Sequence, residues 1–452
     1  MVFGSAPALL ATLLAAGHSA EAGQVCRPTP DCFDGRCLGT PVEFLPVDLQ
    51  LDSWTGLSYV RSNTSVRAHS LVQKDFGIFL HGPKLRPKQR KPGHYAPPLY
   101  VSGSLVDKIW RIDDIQTAPA GAVAASMKFV SWASAPSTMW FVPPARDGGP
   151  ERFLVAEGNP FFLNPGNHTS EMWAGGVDLV DEEKCTTLFP VSALDRFAGK
   201  VVNTVECHAS GYCFFSVWKF YDDSLPSNDD CLYWCQTSSP DDPTTCTQSG
   251  ILTDESGKQI CHVSGTGAVH GFMLGKTDVN NSNSFDMLLL YTGKGTFDTG
   301  ESHMEMLKIV VSNDGAPKTV SRRAWGTDLT NKSIQVGHDV GCDHAWTDDD
   351  GKYIWVGSFR EKNDGVHMMD YDTGKLVHSI HGISSVIPNS KYTYVSGIDG
   401  TGSWGKPGSV LAVATCQKYG TQLTGGESAM LLINISQGVT AAPAHVTTEL
   451  IV

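Results

Sequence analysis

The sequence predicts an all-β protein, a single β-propeller for which seven blades are expected and six are the alternative. Short strands rich in β-branched and aromatic residues recur along the chain, and 46 glycines among 452 residues supply turns between them. No stretch of about ten or more residues shows the 3.6-residue apolar period of an amphipathic helix. Repeated short strands without helices are typical of propellers, sandwiches and β-solenoids, and three or four strands per repeat favour propeller blades.

The clearest repeat lies within residues 338–381. It contains an Asp-rich turn at 348–351, a strand at 352–358, a second strand at 365–371 and a tight turn at 372–374. Asp-Gly and Thr-Gly turns between such strands predict antiparallel hairpins, because glycine readily adopts positive φ. The Asp-rich turn lacks the distant Glu of a calcium loop, so a plain turn is the simpler interpretation.

The same pair of strands recurs elsewhere in the chain. The six copies lie at 99–113, 152–181, 212–235, 286–309, 352–370 and 391–415. A strand in the tail, Ala429–Ile435, is expected to pair with the N-terminal region and supply a seventh blade. Residues 51–440 divided among seven blades give about 56 residues each, which is slightly long for a blade and implies inserted loops.

One of these repeats resembles a known family. The segment DDDGKYIWVGSFREKNDGVHMMDYDTGKLVHSI is similar to the repeat of YVTN-type β-propellers, with the D-G-K-Y, V-G and D-x-x-T-G-K marks at matching places. The segment LYVSGSLVDKIWRID is a fainter second match. The resemblance implies a propeller fold. It implies no activity, because propellers serve as binding modules, dehydrogenases, lyases and oxygenases alike.

The N-terminal region predicts secretion. Residues 1–22 form a signal peptide, with an apolar run too short to span a bilayer and a small-x-small cleavage pattern. All 12 cysteines follow it, an even number that suits disulfides in an oxidising compartment. Asn-x-Ser/Thr glycosylation sites begin at Asn63, Asn167, Asn280, Asn331 and Asn434. The protein is therefore expected to be secreted, glycosylated and disulfide-bonded.

The expected organisation has four parts. The signal peptide is followed by a segment at 23–50 in which Cys26, Cys32 and Cys37 favour a disulfide-stapled structure over a metal site, because the usual ligand spacing is missing. The propeller then occupies 51–440, and a tail occupies 441–452. Within the propeller, the Pro-rich basic stretch 82–98 is interpreted as a solvated, extended loop.

Composition and motifs exclude several function classes. The formal net charge of −13 argues against nucleic acid as a partner, because phosphate binding needs a basic face. No later segment reaches the length of a transmembrane helix. The chain has no P-loop, no dinucleotide fingerprint, no nucleophile elbow and no HExxH motif, so no nucleotide cofactor is expected. A small molecule or a glycan is left as the expected substrate.

Four histidines form the candidate metal site. They are His208, His270, His344 and His381. Each precedes one of the repeated strand pairs, so each is expected on the first strand of its blade, the strand nearest the propeller axis. Imidazoles that converge on an axis would bind one transition metal such as iron, copper, zinc or manganese. The competing interpretation is that these histidines pack in the core and bond to backbone carbonyls.

The sequence does not decide whether other side chains near these histidines would also bind the metal. If residues 338–344 are extended, Cys342 shares a face with His344, and a thiolate there would favour copper or zinc, whereas a disulfide would remove it. His303 and His367 each lie on the second strand of a repeated pair, further from the axis, where packing within the blade is their expected role. The acids and phenols that could join a metal pocket are Asp339, Asp343, Glu206, Tyr291 and Tyr353.

Three functions are compatible with the sequence. The first is a secreted, metal-dependent propeller enzyme, an oxidoreductase or a polysaccharide lyase, with a metal at the central histidines. A uronate polymer suits the acidic extracellular chain and its basic stretch, whereas the Cys/His mixture suits redox copper. The alternative is a non-catalytic extracellular propeller that binds a protein or glycan on one rim, and a wall or matrix component is a third interpretation.

Overall fold

The structure is a computed structural model in which the strands and their nearest turns are described. The described residues are 32–33, 36–37, 41–55, 58–73, 80–85, 98–103, 108–113, 123–131, 136–142, 152–157, 176–181, 185–187, 201–218, 231–237, 246–261, 268–292, 303–312, 315–327, 342–358, 365–383, 393–417 and 428–436. The expected signal peptide and C-terminal tail lie outside them. None of the described residues belongs to a helix long and apolar enough to cross a membrane.

The chain enters the fold through four N-terminal strands. They are β1 (Cys32–Phe33), β2 (Arg36–Cys37), β3 (Pro41–Thr55) and β4 (Ser58–Gln73). β1 and β2 form a small antiparallel pair, and β3 and β4 form a long hairpin.

Antiparallel blades of four strands follow in chain order. Blade 1 contains β5 (Leu80–Leu85), β6 (Leu99–Gly103), β7 (Lys108–Asp113) and β8 (Val123–Ser131). Blade 2 contains β9 (Pro136–Val142), β10 (Arg152–Glu157), β11 (Gly176–Asp181) and β12 (Cys185–Thr187). Blade 3 contains β13 (Val201–His208), β14 (Tyr212–Trp218), β15 (Leu232–Thr237) and β16 (Cys246–Ile251).

The second half of the chain forms three further blades. A two-residue strand, β17 (Thr253–Asp254), pairs with the outer edge of blade 4. Blade 4 contains β18 (Ala268–Asp278), β19 (Asn281–Thr292), β20 (His303–Val311) and β21 (Pro317–Trp325). Blade 5 contains β22 (Cys342–Thr347), β23 (Tyr353–Ser358), β24 (Val366–Asp370) and β25 (Leu376–His381). Blade 6 contains β26 (Thr393–Thr401), β27 (Val410–Gln417), β28 (Ser428–Asn434) and the N-terminal β4.

The first strands of the blades form a closed ring around the axis. Each of β5, β9, β13, β18, β22 and β26 contacts the next, and β26 contacts β5. The expected propeller fold is confirmed, whereas the count of seven blades is not. The tail strand does pair with the N-terminal region as predicted, but β28 and β4 complete the sixth blade instead of adding another.

The N-terminal strand β3 reinforces this closure on the outside of the ring. Its residues pair in turn with β8 of blade 1, with β4 of blade 6 and with β25 of blade 5. One strand therefore connects the outer edges of three successive blades. This pairing adds backbone hydrogen bonds between the last blade and the first.

The hydrophobic core consists of layers between neighbouring blades. The layer between blades 4 and 5 contains Met273, Leu290, Met304, Trp325 and Met369, all nearly inaccessible to solvent. Equivalent apolar layers separate blades 1 and 2, 2 and 3, 3 and 4, and 5 and 6. Successive side chains of a strand point to opposite faces, so each strand contributes to two layers.

Within the repeated meander at 338–381, the described strands and turns match the prediction. Asp348 to Gly351 is a turn closed by a hydrogen bond from the Gly351 amide to the Asp348 carbonyl, and Gly351 has φ of +64°. Gly374 ends the second predicted turn with φ of +67°. Both glycines adopt the left-handed conformation that side chains disfavour, which is the physical basis of the hairpin signal.

Disulfides are present, as the cysteine content predicted. The described pairs are Cys207–Cys213, Cys231–Cys261 and Cys235–Cys246. All three staple blade 3 and its connection to blade 4. Of the predicted glycosylation sites, Asn280 lies exposed in the turn between β18 and β19, a position that an attached glycan requires.

Candidate functional site

An axial ring of six side chains is the candidate site, with one member from each first strand. Near the end of each strand, equivalent four-residue segments read HGPK, STMW, NTVE, HGFM, DHAW and SGID in blades 1 to 6. The last residue of each segment belongs to the ring. The axial ring is Lys84, Trp140, Glu206, Met273, Trp346 and Asp399.

Asp399 is buried and neutralised by a neighbour across the junction of blades 6 and 1. It is 5% exposed, and its carboxylate lies 3.5 Å from Nζ of Lys84. The backbone N–H of Leu85 donates a hydrogen bond of 2.7 Å to its Oδ2. Burial raises the pKa of Asp399, and Lys84 opposes that rise. The ion pair and the backbone hydrogen bond together compensate the cost of burying the Asp399 carboxylate.

Glu206 makes the same backbone contact across the junction of blades 3 and 4, but without a lysine. The N–H of Leu274 donates a hydrogen bond of 2.6 Å to its Oε2. Among the described residues, no cation lies within ion-pair distance of Glu206. Burial raises its pKa from 4.5 to about 7, against the weaker opposing effect of Lys84 and the Leu274 amide. Glu206 is therefore poised to exchange a proton near neutral pH.

The two tryptophans of the ring are partly exposed and lie three blades apart. Nζ of Lys84 lies 5.2 Å from the centre of the Trp140 ring, within cation–π range. The ring of Trp346 lies against the backbone of Gly400, where a Cβ would approach its carbons to 2.6 Å. Gly400 therefore leaves the space in which Trp346 lies flat beside Asp399.

Close packing of the first strands fixes the ring. A Cβ at Gly397 would lie 2.4 Å from Pro83 Cδ, and a Cβ at Gly82 would lie 2.4 Å from the Ser137 carbonyl oxygen. The hydroxyl of Thr138 donates to the Asn203 carbonyl and accepts from the Val205 amide. These contacts hold neighbouring strands at backbone distance, so the side chains at the strand ends have little freedom to move.

The order of residues around the ring determines its chemistry. In a ring of six blades, members three blades apart lie on opposite sides of the axis. Trp140 and Trp346 therefore lie on opposite sides of the axis, as do Glu206 and Asp399. The ring combines two partly exposed tryptophans, one carboxyl group with a pKa of about 7 and one ammonium group. Such a set can stack a ring-shaped ligand and exchange a proton with it.

His208, the first predicted metal ligand, has both ring nitrogens engaged. Nδ1 lies 2.7 Å from Oγ of Ser210, and Nε2 lies 2.9 Å from Oγ1 of Thr277. The ring stacks on Phe285 with centroids 3.9 Å apart, and burial lowers the pKa of the imidazole. In this arrangement His208 connects blade 3 to blade 4 and has no nitrogen available to a metal.

Among the other three predicted ligands, the structure describes the side chain of His381 alone. His381 ends β25, the fourth strand of blade 5, where it pairs with Gln50 of β3. Its expected place on a first strand was wrong, because the tight turn at 372–374 starts an outer strand. His270 and His344 do lie on first strands, β18 and β22, and their side chains lie outside the described residues.

Of the four predicted ligands, His208 and His381 do not share a metal site, and the side chains of the other two lie outside the described residues. The described residues contain no group of three or more His, Cys, Asp or Glu side chains that could hold a metal ion. The role of Cys342 lies outside the described side chains. His367 lies on β24, the second strand of its repeated pair, as expected. Tyr291 is buried, and its hydroxyl donates a hydrogen bond of 3.2 Å to Glu305.

Sequence reasoning named Glu206 but missed the rest of the axial ring. Lys84 was assigned to a solvated loop, whereas it lies in β5 and pairs with Asp399. The assignment was wrong because Lys84 is followed in the sequence by a run of basic residues, and such runs usually belong to solvated loops. Among the six first-strand segments, HGPK and HGFM are visibly alike. The other four share too few residues to be aligned from the sequence, without knowing which strands are neighbours in the structure.

No protein-family model matches the chain, so its resemblance to the YVTN-type repeat is not confirmed. No curated protein matches it either. Among solved structures, a luciferin-regenerating enzyme is 12% identical, over 82% of this chain and 96% of that chain, with a TM-score of 0.47.

Two further solved structures are similar at the same level. A gluconolactonase from Xanthomonas campestris is 14% identical, over 90% of this chain and all of that chain (100%), with a TM-score of 0.43. The calcium-binding protein regucalcin from Agrobacterium tumefaciens is 12% identical, over 79% of this chain and 91% of that chain, with a TM-score of 0.42. Similarities this distant assign no family and carry no functional argument.

Proposed function

We propose that the protein is a secreted propeller enzyme that performs proton-transfer chemistry on a uronate-containing glycan at the axial ring. The observation that carries this proposal is the combination, within one ring, of Glu206 with a pKa of about 7 and the ammonium group of Lys84. The two partly exposed tryptophans, on opposite sides of the axis, add apolar surface that suits the faces of sugar rings. Of the reactions that the sequence left open, lyase chemistry is the one that these side chains supply.

The proposed reaction is a β-elimination. The Glu206 carboxylate takes the proton from the carbon next to the uronate carboxylate, and Lys84 stabilises the negative charge that develops there. The electron pair of the broken C–H bond forms a C=C bond, and the bond to the leaving sugar oxygen breaks. That oxygen leaves with its electron pair and takes a proton from water. No oxidant or reductant is consumed.

The metal-dependent version of this function lacks support from the described side chains. His208 is committed to Ser210 and Thr277, and His381 lies on an outer strand. Glycosylation and secretion remain part of the proposal. They rest on the sequence, and Asn280 is exposed as a glycan site must be.

The test is to incubate the secreted protein with polyuronates and with matched neutral polysaccharides. A rise in ultraviolet absorbance from the unsaturated product is expected with polyuronates alone. Glu206→Gln keeps the acceptor for the Leu274 amide but removes the base, so it is expected to lower the rate by about 100-fold or more. The matched control is Glu305→Gln, which changes a partly buried acid on β20, outside the axial ring.

The alternative is a non-catalytic glycan-binding propeller, and Trp140 and Trp346 favour it in the absence of turnover. In that case glycan binding is retained in Glu206→Gln, is lost in Trp346→Ala, and no product forms with any polymer. If neither binding nor turnover is found with uronates, the proposed substrate class is wrong.

A further inference from the structure

Two histidines form a close pair on the outer strands of blade 5, away from the axial ring. His367 on β24 is directly opposite Ser379 of β25, and His381 lies two residues further along β25 on the same face. The centroids of the two imidazole rings are 6.0 Å apart, and the rings meet edge to face with an interplanar angle of 70°.

One nitrogen of this pair is buried without a hydrogen-bond partner. Nδ1 of His367 lies 2.8 Å from Oγ of Ser379, which orients the ring. Its Nε2 is inaccessible to solvent and has no partner among the described residues. His367 itself is fully buried (0% exposed). An orphaned buried nitrogen is costly, and native proteins rarely keep one without a reason.

The backbone leaves room for both rings at Gly365. A Cβ at this position would lie 3.3 Å from Nδ1 of His381, 3.4 Å from Cε1 of His367 and 2.9 Å from the carbonyl oxygen of Ile380. The shortest of these distances is to the backbone carbonyl, so any larger residue at position 365 would force the strands to shift beside the two imidazoles. Glycine at position 365 therefore permits the two rings to lie together beside the strand.

The spacing of the rings matches two imidazoles that share one ion. Metal–nitrogen bonds of about 2 Å, with about 1 Å from each nitrogen to its ring centre, place such centroids about 6 Å apart. His381 as a residue is only partly buried, whereas its Nε2 is inaccessible to solvent. The Ser379 hydroxyl already fixes the orientation of the His367 ring through Nδ1, as metal-binding histidines usually require.

From this geometry we propose that His367 and His381 bind one copper(I) ion. Imidazole suits copper, zinc, iron and nickel, but structural zinc takes four protein ligands. The described residues supply no third His, Cys, Asp or Glu to this pair. Copper(I) is the ion of this group that two imidazoles satisfy. The site is independent of the axial ring and of the proposed lyase activity.

The experiment is a competition for copper(I) between the intact protein and the chromophoric chelator bicinchoninate. Ascorbate keeps copper reduced and leaves the disulfides intact, and free thiols are alkylated first because thiolates also bind copper(I). Wild-type protein is expected to withdraw one copper(I) per chain from the chelator. His367→Leu, which fills the space of the ring, is expected to weaken binding at least tenfold.

A second variant and a control keep the test decisive. His381→Asn changes a partly exposed side chain and preserves the fold even if His367→Leu does not, and it is also expected to weaken binding at least tenfold. His378→Asn is the matched control, since His378 is on the same strand but lies near Trp404, 5.3 Å between ring centres. Wild-type protein that yields all its copper(I), unchanged binding in His381→Asn, or a preference for zinc would each overturn the proposal.

Discussion

The axial ring has two halves with the same order of residues, and they differ at one decisive position. Blades 2 to 4 contribute Trp140, Glu206 and Met273, and blades 5, 6 and 1 contribute Trp346, Asp399 and Lys84. Each half has a tryptophan, then an acid, then a long unbranched side chain. In both halves the acid accepts a hydrogen bond from the backbone amide that follows the third residue.

The third residue decides what the acid does. Lys84 gives Asp399 a counterion 3.5 Å away, whereas Met273 packs in the layer between blades 4 and 5 and accepts a contact of 3.0 Å from the Thr347 hydroxyl. Asp399 is thereby held as half of an ion pair, and Glu206 has a pKa of about 7. One backbone arrangement therefore yields a structural carboxylate in one half and a proton acceptor in the other.

The largest expected effect comes from removing the counterion. Lys84→Met makes the Asp399 half resemble the Glu206 half and leaves a buried carboxylate unpaired. Loss of one partner of a buried ion pair costs about 3–5 kcal/mol, so the free energy of unfolding at pH 7 should fall by that amount. Denaturant unfolding measures it.

The control for this variant is an exposed pair of the same type. Nζ of Lys406 lies 3.9 Å from Asp350, and the two side chains are 65% and 55% exposed. Lys406→Met should change stability by no more than about 0.5 kcal/mol. Equal losses in the two variants would mean that Lys84 does not neutralise Asp399.

The second prediction concerns the pH dependence that Glu206 imposes. The folded protein binds the proton of Glu206 more tightly than the unfolded chain does, because the pKa rises from 4.5 to about 7 on folding. Stability should therefore fall as the pH rises from about 4.5 through 7 and then level off, with a total loss of about 3 kcal/mol. Unfolding of wild type and Glu206→Gln across this range isolates the contribution, because the amide does not titrate. A constant difference between the two curves would contradict the raised pKa.

The third prediction concerns the effect of introducing a lysine beside Glu206, at the position equivalent to Lys84. Met273→Lys should place an ammonium group beside Glu206 and lower the pKa of its carboxyl. The pH-dependent loss of stability attributable to Glu206 should then shrink from about 3 to about 1 kcal/mol. The comparison is the unfolding of Met273→Lys with and without Glu206→Gln. Under the proposed function, the same substitution should also weaken the base and lower turnover near neutral pH, and an unchanged slope would mean that the two halves are not equivalent.

The sequence predicted the blades well because their signals are local. The hairpins at 348–351 and 372–374 follow from Asp-Gly and Thr-Gly turns between apolar strands, and each needs only a few neighbouring residues. Five of the six recognised strand pairs are the second and third strands of their blades. The pair at 391–415 is instead the first and second strands of blade 6, because its remaining partner, β4, comes from the N-terminus.

The site could not be predicted in the same way, because its members meet only through ring closure. Lys84 and Asp399 are 315 positions apart, and no local pattern connects a lysine before a basic stretch with an acid in a glycine-rich strand. The placement of His381 was wrong for the opposite reason. The strand pair that follows it, at 391–415, forms the first and second strands of blade 6, so the strand that carries His381 is the last of blade 5.

The smallest expected effect tests the tryptophan of each half. Trp346 lies on Gly400, where a Cβ would come within 2.6 Å of its ring, whereas the residue that follows Glu206 is Cys207, whose side chain is bonded to Cys213. Gly400→Ala should push Trp346 aside and cost about 1–2 kcal/mol of unfolding free energy, since overpacking strains the neighbouring strands. The matched control is Gly250→Ala, where the Cβ would meet the Trp234 ring at 3.1 Å and a small shift suffices. A larger loss at Gly400 than at Gly250, together with weaker glycan binding in Gly400→Ala alone, would show that the half containing Asp399 holds its tryptophan for the ligand. Equal losses without a change in binding would assign Trp346 to packing and leave ligand contact to the half that contains Glu206.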